Sequence, residues 1–345
     1  MNFKDQLDVI VKSFNRPHVL LRLVRSWNIY YPNTPLTICD DSTINMDFSD
    51  SAYKNHIIYK LPDEDMGISY GRNYGVVHTS KNFILFLDDD FIIHKETRLD
   101  ILFELINMRS DIGIVGGVMG KRNTDATIQG GDIYLRNGIC YKKCLEDKFE
   151  TYCGYNFRFC TITDNFFLAK RDIFKIVAWD EKLKTAEHTD FFLQLANTSW
   201  KVVFTPEASV GHIHPPSDEI SIYDKYRYDR YYYFKEIFWE KYSIKEERYV
   251  DSNENVSKLW LTSKVRVDFD NCGKIKPYSS KLKGFILAEY IVINHKECFQ
   301  IIAIDRQEKN FYPNQIIEND DNFESRQVKV GGFYHNKSLF LLCPR

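Results

Sequence analysis

Residues 82–92 read NFILFLDDDFI, an unbroken apolar run that passes directly into three aspartates, Asp88, Asp89 and Asp90. A run this short, closed by polar residues, reads as a strand buried on both faces, as at the centre of a parallel sheet. Three carboxylates at its end repel one another and raise each other's pKa, a cost that a divalent cation removes. Mg2+ and Mn2+ favour carboxylate, phosphate and water oxygens, so this strand end suits a metal bound to a diphosphate. Alternate side chains of a strand share a face, which sets Asp88 with Asp90 and turns Asp89 away unless the turn begins there. A solvated turn or a helix cap is the plain alternative.

Upstream, the chain alternates strand and helix. Residues 7–12 (LDVIVK) are β-branched and apolar and end in the polar turn Ser13, Phe14, Asn15, Arg16 and Pro17. Leu20, Leu21, Leu23, Val24 and Trp27 recur at helical spacing, Pro32 and Pro35 stop that helix, and residues 36–39 open a second strand. A third strand over residues 56–60 precedes MGISYGRNYGVVHTS, a helix whose glycines suit close packing on backbone or ligand. The alternation predicts a doubly wound α/β sheet, whose ligands lie beyond the carboxyl ends of the strands.

Downstream, residues 112–118 and 202–204 read as strands, residues 172–177 as a short helix, and residues 189–196 as a helix after an acidic loop. Residues 222–242 are dense in aromatics with near-balanced charge, which favours an amphipathic packing helix over a membrane-surface one. After residue 250 the polar stretch DSNENVSK reads as a linker. Apolar alternation at 291–294, 299–304, 327–330 and 339–342 then suggests a small β-rich domain. The division expected is a catalytic domain over 1–250 and a β-rich domain of unassigned role over 256–345.

Composition narrows the function. The 345 residues carry 46 basic and 48 acidic side chains, so the net charge of 46 − 48 = −2 supplies no general field for nucleic acid. Hydrophobic residues at 44% suffice for a sizeable core. The 22 Tyr and 25 Phe suit either that core or a sugar-lined cleft. Eight cysteines show no repeated spacing and read as reduced thiols. With no signal-like start and no apolar run long enough to span a bilayer, the chain is expected to be cytoplasmic.

Two further clusters carry chemistry. His212, in SVGHIHPP, can complete a mainly oxygen Mn2+ site, with His214 the weaker candidate beside two prolines. In TAEHTDFF, any of Glu187, His188 and Asp190 can take a proton from a hydroxyl, the alternative being a helix-capping acid cluster. A nucleotidyl- or phosphotransferase would need a phosphate-cradling Gly-Lys loop, which is missing. A non-catalytic glycan-binding protein would not need these acidic and imidazole groups.

Seven stretches in order, VIVKSFNRPHVLLRLVRSW, YYPNTPLTICDDS, GISYGRNYGV, FILFLDDDFI, DNFFLAKRDIF, WDEKLKTAEHTDFF and SVGHIHP, give the chain its family likeness over residues 8–215. It resembles the GT-A, family 2-like glycosyltransferases, and among them the ganglioside-type β1,4-N-acetylgalactosaminyltransferases. The resemblance implies a Rossmann-like GT-A domain that binds a UDP-sugar with Mn2+ or Mg2+. It assigns Ser13, Phe14, Asn15, Arg16, Asp40 and Asp41 to the uridine, and Arg72 and Asn73 to the nucleotide's side. Asp88, Asp89 and Asp90 match the D-x-D position, with Asp88 towards the ribose and Asp90 on the metal, where Asp88 is also a candidate ligand. His212 matches the family's later metal ligand, and Asp164 and Asn165 would lie against the donor sugar. At the base position many inverting relatives have Glu-Asp where this chain has Glu187-His188, which favours Glu187 or Asp190 over His188. The implied activity is inverting transfer of a sugar, GalNAc favoured, to a hydroxyl of a glycan acceptor in surface polysaccharide or glycolipid synthesis. Such an acceptor would bring peripheral contact with the inner face of a membrane.

Overall fold

The computed structural model describes residues 3–120, 130–145, 148–212 and 230–250, and beyond these the strands between residues 256 and 344. It divides into two compact units, residues 1–134, 142–238 and 250–255 in the first, and residues 135–141, 239–249 and 256–345 in the second. Among the described residues no helix is long and apolar enough to cross a membrane.

The first unit is built as the alternation predicts. Strand β1 (Leu7–Ser13) leads to helix α1 (Pro17–Tyr30), β2 (Leu36–Asp40), β3 (Ile57–Lys60), helix α2 (Ile68–Val77) and β4 (Phe83–Asp88). Pro17 at the first helical position suits α1, because its missing N–H is one the helix could not use and its φ is already helical. Leu20, Leu23, Val24 and Trp27 form the buried face of α1, and Trp27 Nε1 donates to the Thr34 carbonyl at 2.7 Å where the chain turns towards β2. There follow β5 (Phe91–Ile92), α3 (Leu99–Ile106) and β6 (Ile112–Met119), then β7 (Asp132–Arg136) and β8 (Ile139–Lys143), whose residues 135–141 count with the second unit, and then β9 (Glu150–Tyr152), β10 (Tyr155–Cys160), β11 (Phe167–Lys170), α4 (Glu187–Ala196) and β12 (Lys201–His212).

The main sheet runs β3-β2-β1-β4-β11-β6-β12-β10-β9, and β5 pairs with β12. Strands β1 to β4 are mutually parallel, with Lys12 of β1 level with Cys39 of β2 and Asp88 of β4. β12 runs parallel to β6. β4 is central and buried as expected, yet its second neighbour, β11, is antiparallel, because an all-apolar run states burial but not the direction of its partner. Helices cover both faces. α1 and α3 share a core with Val9, Val11, Leu85 and Leu87, whereas α2 meets Ile10 and Phe191 of α4 stacks on Phe167 of β11. Phe86, Phe166, Phe167, Phe191, Phe192 and Phe204 are among the largest fully buried side chains, so much of the aromatic surplus is core.

Several expected boundaries move. The helix expected over 172–177 is a single 3-10 stretch, Arg171–Lys175, whose Arg171 guanidinium reaches the Val76 carbonyl at 2.8 Å and Asp8 at 2.9 Å. α4 begins at Glu187, so the acidic residues lie in its first turn, where the helix dipole favours them, and not in a preceding loop. The strand expected over 202–204 continues to His212 across an irregularity between Phe204 and Ser209. β7 to β10 escaped the sequence reading because half-exposed strands such as YNFRFC mix charge with apolar residues.

In the second unit helix α5 (Tyr231–Tyr242), which begins in the first unit, is followed by β13 (Glu246–Val250) and β14 (Val256–Leu261). The first part of the helix expected over 222–242 falls outside the described residues, as does His214. The last five strands, β15 (Ile286–Ile293), β16 (Lys296–Ile304), β17 (Ile316–Glu318), β18 (Val328–Gly331) and β19 (Ser338–Pro344), form an antiparallel sheet in the order β17-β16-β15-β19-β18. They overlap each of the alternating stretches of the C-terminal sequence.

Candidate active site

Ser13, Asp40, Asp88 and His212 are each the last residue of a strand, β1, β2, β4 and β12, and these four strands point the same way. Their carboxyl ends form the edge where open α/β sheets bind ligands.

β4 stops at Asp88, so strand alternation stops there too. The Asp88 carboxylate accepts from Arg72 Nη2 at 2.8 Å through Oδ1 and from Asn165 Nδ2 at 2.8 Å through Oδ2. Asp89 and Asp90 turn instead to the loop after β1. Ser13 Oγ donates to Asp89 Oδ2 at 3.1 Å, and the Arg16 guanidinium spans Asp89 and, at 3.1 Å, Asp90 Oδ2. Burial pushes the Asp89 carboxyl above the ordinary range against the pull of Arg16. The expected pairing of Asp88 with Asp90 is therefore replaced by a pairing of Asp89 with Asp90 across one arginine. Asp90 Oδ2 also lies 3.5 Å from His212 Nε2, because β5, immediately after the aspartates, pairs His212 with Phe91.

The loop after β1 is stitched to the loop after β2. Asn15, at φ 54°, accepts from the Thr43 N–H at 2.8 Å, and its own N–H donates to Ser42 Oγ at 2.7 Å. Asp40 is fully buried; its Oδ1 accepts from Ser42 at 2.6 Å, Oδ2 finds no partner among the described residues, and burial raises its pKa. Asp41 pairs with Lys12 and accepts the Gly67 N–H at 2.8 Å. Gly67, at φ +96°, is forced to be glycine twice over, since a Cβ there would also stand 2.7 Å from Lys184 Cγ.

Residues 8–175 match Glycosyl transferase family 2. The chain carries a glycosyltransferase family 2 domain. It is 26% identical over 199 residues to mouse (Mus musculus) beta-1,4 N-acetylgalactosaminyltransferase 2, covering 55% of this chain and 36% of that protein. It is 29% identical over 197 residues to the rat (Rattus norvegicus) beta-1,4 N-acetylgalactosaminyltransferase 1, covering 56% and 36%. The chain thus spans about a third of the length of these curated relatives. Among solved structures it is similar to the mannosyltransferase PcManGT from Pyrobaculum calidifontis in complex with GDP-Man and Mn2+, at 14% identity and TM-score 0.46, covering 68% of this chain and 64% of that one.

Within the family 2 domain and just beyond it, the remaining expected residues differ in the partners that hold them. Asp164 is buried, its Oδ2 has no partner among the described residues, and desolvation raises its pKa to about 7. Asn165 Oδ1 has no partner among the described residues, while its amide nitrogen holds Asp88. Asn73, expected beside the nucleotide, spends both ends of its amide on Trp179, donating to its carbonyl at 2.8 Å and accepting from its N–H at 3.1 Å. Glu187 Oε1 stands 3.9 Å from Arg72 Nη1. Asp190 is fully buried and accepts from Gln194 Nε2 at 2.7 Å, one turn along α4. His188 is partly buried, with Nε2 2.6 Å from the Thr163 carbonyl, and desolvation pulls its pKa down to about 3. Among the described residues no group of three or more His, Cys, Asp or Glu side chains is set to hold an ion. Lys12, Trp179 and Lys184, which organise these loops, were missed in the sequence because their roles depend on contacts between distant segments.

Proposed function

We propose that this chain is an inverting, metal-dependent glycosyltransferase that moves a sugar, GalNAc favoured, from a UDP-sugar to a hydroxyl of a glycan acceptor in surface polysaccharide or glycolipid synthesis. The observation that carries the reading is the meeting of Asp90 and His212 at 3.5 Å on the ligand-binding edge of the sheet. Support for the donor comes from the N-acetylgalactosaminyltransferases to which the chain is similar.

A carboxylate and an imidazole fit Mn2+ or Mg2+, which take the rest of their ligands from phosphate oxygens and water. Asp90 and His212 would hold the ion, and Arg16, already on Asp89 and Asp90, would move its charge towards the phosphates. The bound ion supplies charge that offsets the negative charge gathering on the leaving diphosphate. Asp88, held by Arg72 and Asn165, is left for the ribose side. The open Oδ2 of Asp40 accepts from the uracil N–H, and the open oxygens of Asp164 and Asn165 accept from hydroxyls of the donor sugar. Glu187, 3.9 Å from Arg72, takes the proton from the attacking hydroxyl. Attack opposite the leaving diphosphate inverts the anomeric centre in one step.

The test is UDP release from UDP-GalNAc, UDP-GlcNAc, UDP-Gal and UDP-Glc with Mn2+. Chelator-sensitive release, fastest with UDP-GalNAc, is expected; binding of all four without release from any would overturn the assignment.

A further inference from the structure

Arg72 is 2% exposed, and one guanidinium serves three neighbours. Nη2 donates to Asp88 at 2.8 Å, Nη1 lies 3.9 Å from Glu187, and Cζ sits 4.5 Å from the centroid of the Trp179 ring. Trp179 in turn stacks on Phe191 of α4, the helix that opens with Glu187, at 4.1 Å and 16°. Its backbone is closed by the reciprocal amide pair with Asn73, the residue next to Arg72 on α2. The same segment is tied again by Asn73 Nδ2 to Glu181 at 2.9 Å and by Ser69 Oγ to the Leu183 carbonyl at 2.6 Å.

We propose that Trp179 and Asn73 are positioning residues for glycosyl transfer, fixing Arg72 so that a single guanidinium sets the distance between the donor-side carboxylate Asp88 and the proton acceptor Glu187. The inference rests on the roles given to Asp88 and Glu187 above. A flexible arginine between two carboxylates could satisfy either one alone. An indole against its face and a pinned backbone behind that indole leave one geometry that serves both. Asn73 is thereby a fastener of the Trp179 loop, with both amide N–H groups committed to Trp179 and Glu181.

Full-length Trp179→Leu, Trp179→Phe and Asn73→Ala are compared with the parent in Mn2+-dependent UDP release from UDP-GalNAc, in UDP affinity by calorimetry, and in thermal midpoint. Trp179→Leu is expected to lower kcat roughly 10- to 100-fold, the scale of a small misplacement of reacting groups, with UDP affinity within about twofold. Trp179→Phe, which restores an aromatic face, is expected to recover most of kcat although it also loses packing. Asn73→Ala, on a half-buried residue that leaves the core intact, is expected to lower kcat in the same direction. Unchanged kcat in Trp179→Leu or Asn73→Ala, equal losses in Trp179→Leu and Trp179→Phe that follow the thermal midpoint, or a loss confined to UDP affinity would each overturn the inference while the functional reading stands. Silence of the parent with every donor would overturn the functional reading, and this inference with it.

Discussion

The Asp90 carboxylate and the His212 imidazole stand 3.5 Å apart although strands β5 to β11 lie between them in the chain. The contact exists because β5 returns beside the end of β12 and sets Phe91 level with His212. If the pair holds a divalent ion, Asp90→Ala should lower UDP release by on the order of 10²-fold or more at saturating Mn2+, through lost electrostatic stabilisation of the leaving group. His212→Ala should instead raise the Mn2+ concentration for half-maximal release by roughly 10- to 100-fold. A Mn2+ titration of both variants separates these outcomes, and parental behaviour in Asp90→Ala would remove the metal assignment.

The three candidate bases differ in the partners that hold them. Glu187 reaches Arg72, Asp190 is fully enclosed and bonded to Gln194, and His188 is committed to the Thr163 carbonyl. Glu187→Gln should therefore cost about 10²- to 10⁴-fold in kcat with an intact thermal midpoint. Asp190→Asn should keep most turnover and show its effect in stability. The opposite pattern in steady-state kinetics would move the base to Asp190.

The pKa of His188, lowered to about 3 by burial, makes stability depend on pH. Its folded-state value lies below the unfolded value near 6.5, so the unfolded chain binds the extra proton first as pH falls. The stabilising contribution is complete above about 6.5 and declines as pH drops towards 3. Relative to His188→Gln, the parent should lose on the order of 3 kcal/mol more between pH 7 and pH 4 in urea unfolding. Parallel pH profiles for the two proteins would contradict a neutral, desolvated imidazole.

Gly75 lies where α2 crosses β1, and a Cβ there would stand 2.6 Å from Ile10 Cγ2. Alanine gains up to about 1 kcal/mol in helix propensity, whereas overpacking a full core costs about 1–3 kcal/mol. Ile10 is 1% exposed and has no room to yield, so packing wins. Gly75→Ala should lower stability by about 1 kcal/mol, seen as a lower urea midpoint at unchanged slope.

The sequence by itself determined the parts whose physics is local. Period and apolar runs located β1, α1, β2, β3, α2, β4 and β6 and the alternation that makes the sheet doubly wound, since burial on one face or two writes itself into the spacing of side chains. It also put Ser13, Asp40 and Asp88 at strand ends, because a strand stops where its apolar run stops. The tertiary structure alone decided what those residues face. Strand direction at β11, the turn that pairs Asp89 with Asp90 on Arg16, the enclosure of Asp190, the contact of His188 with the Thr163 carbonyl, and the tie between Asn73 and Trp179 all depend on segments far apart in the chain. Such contacts are settled by how whole elements pack, and no local pattern of residues encodes which partner will arrive.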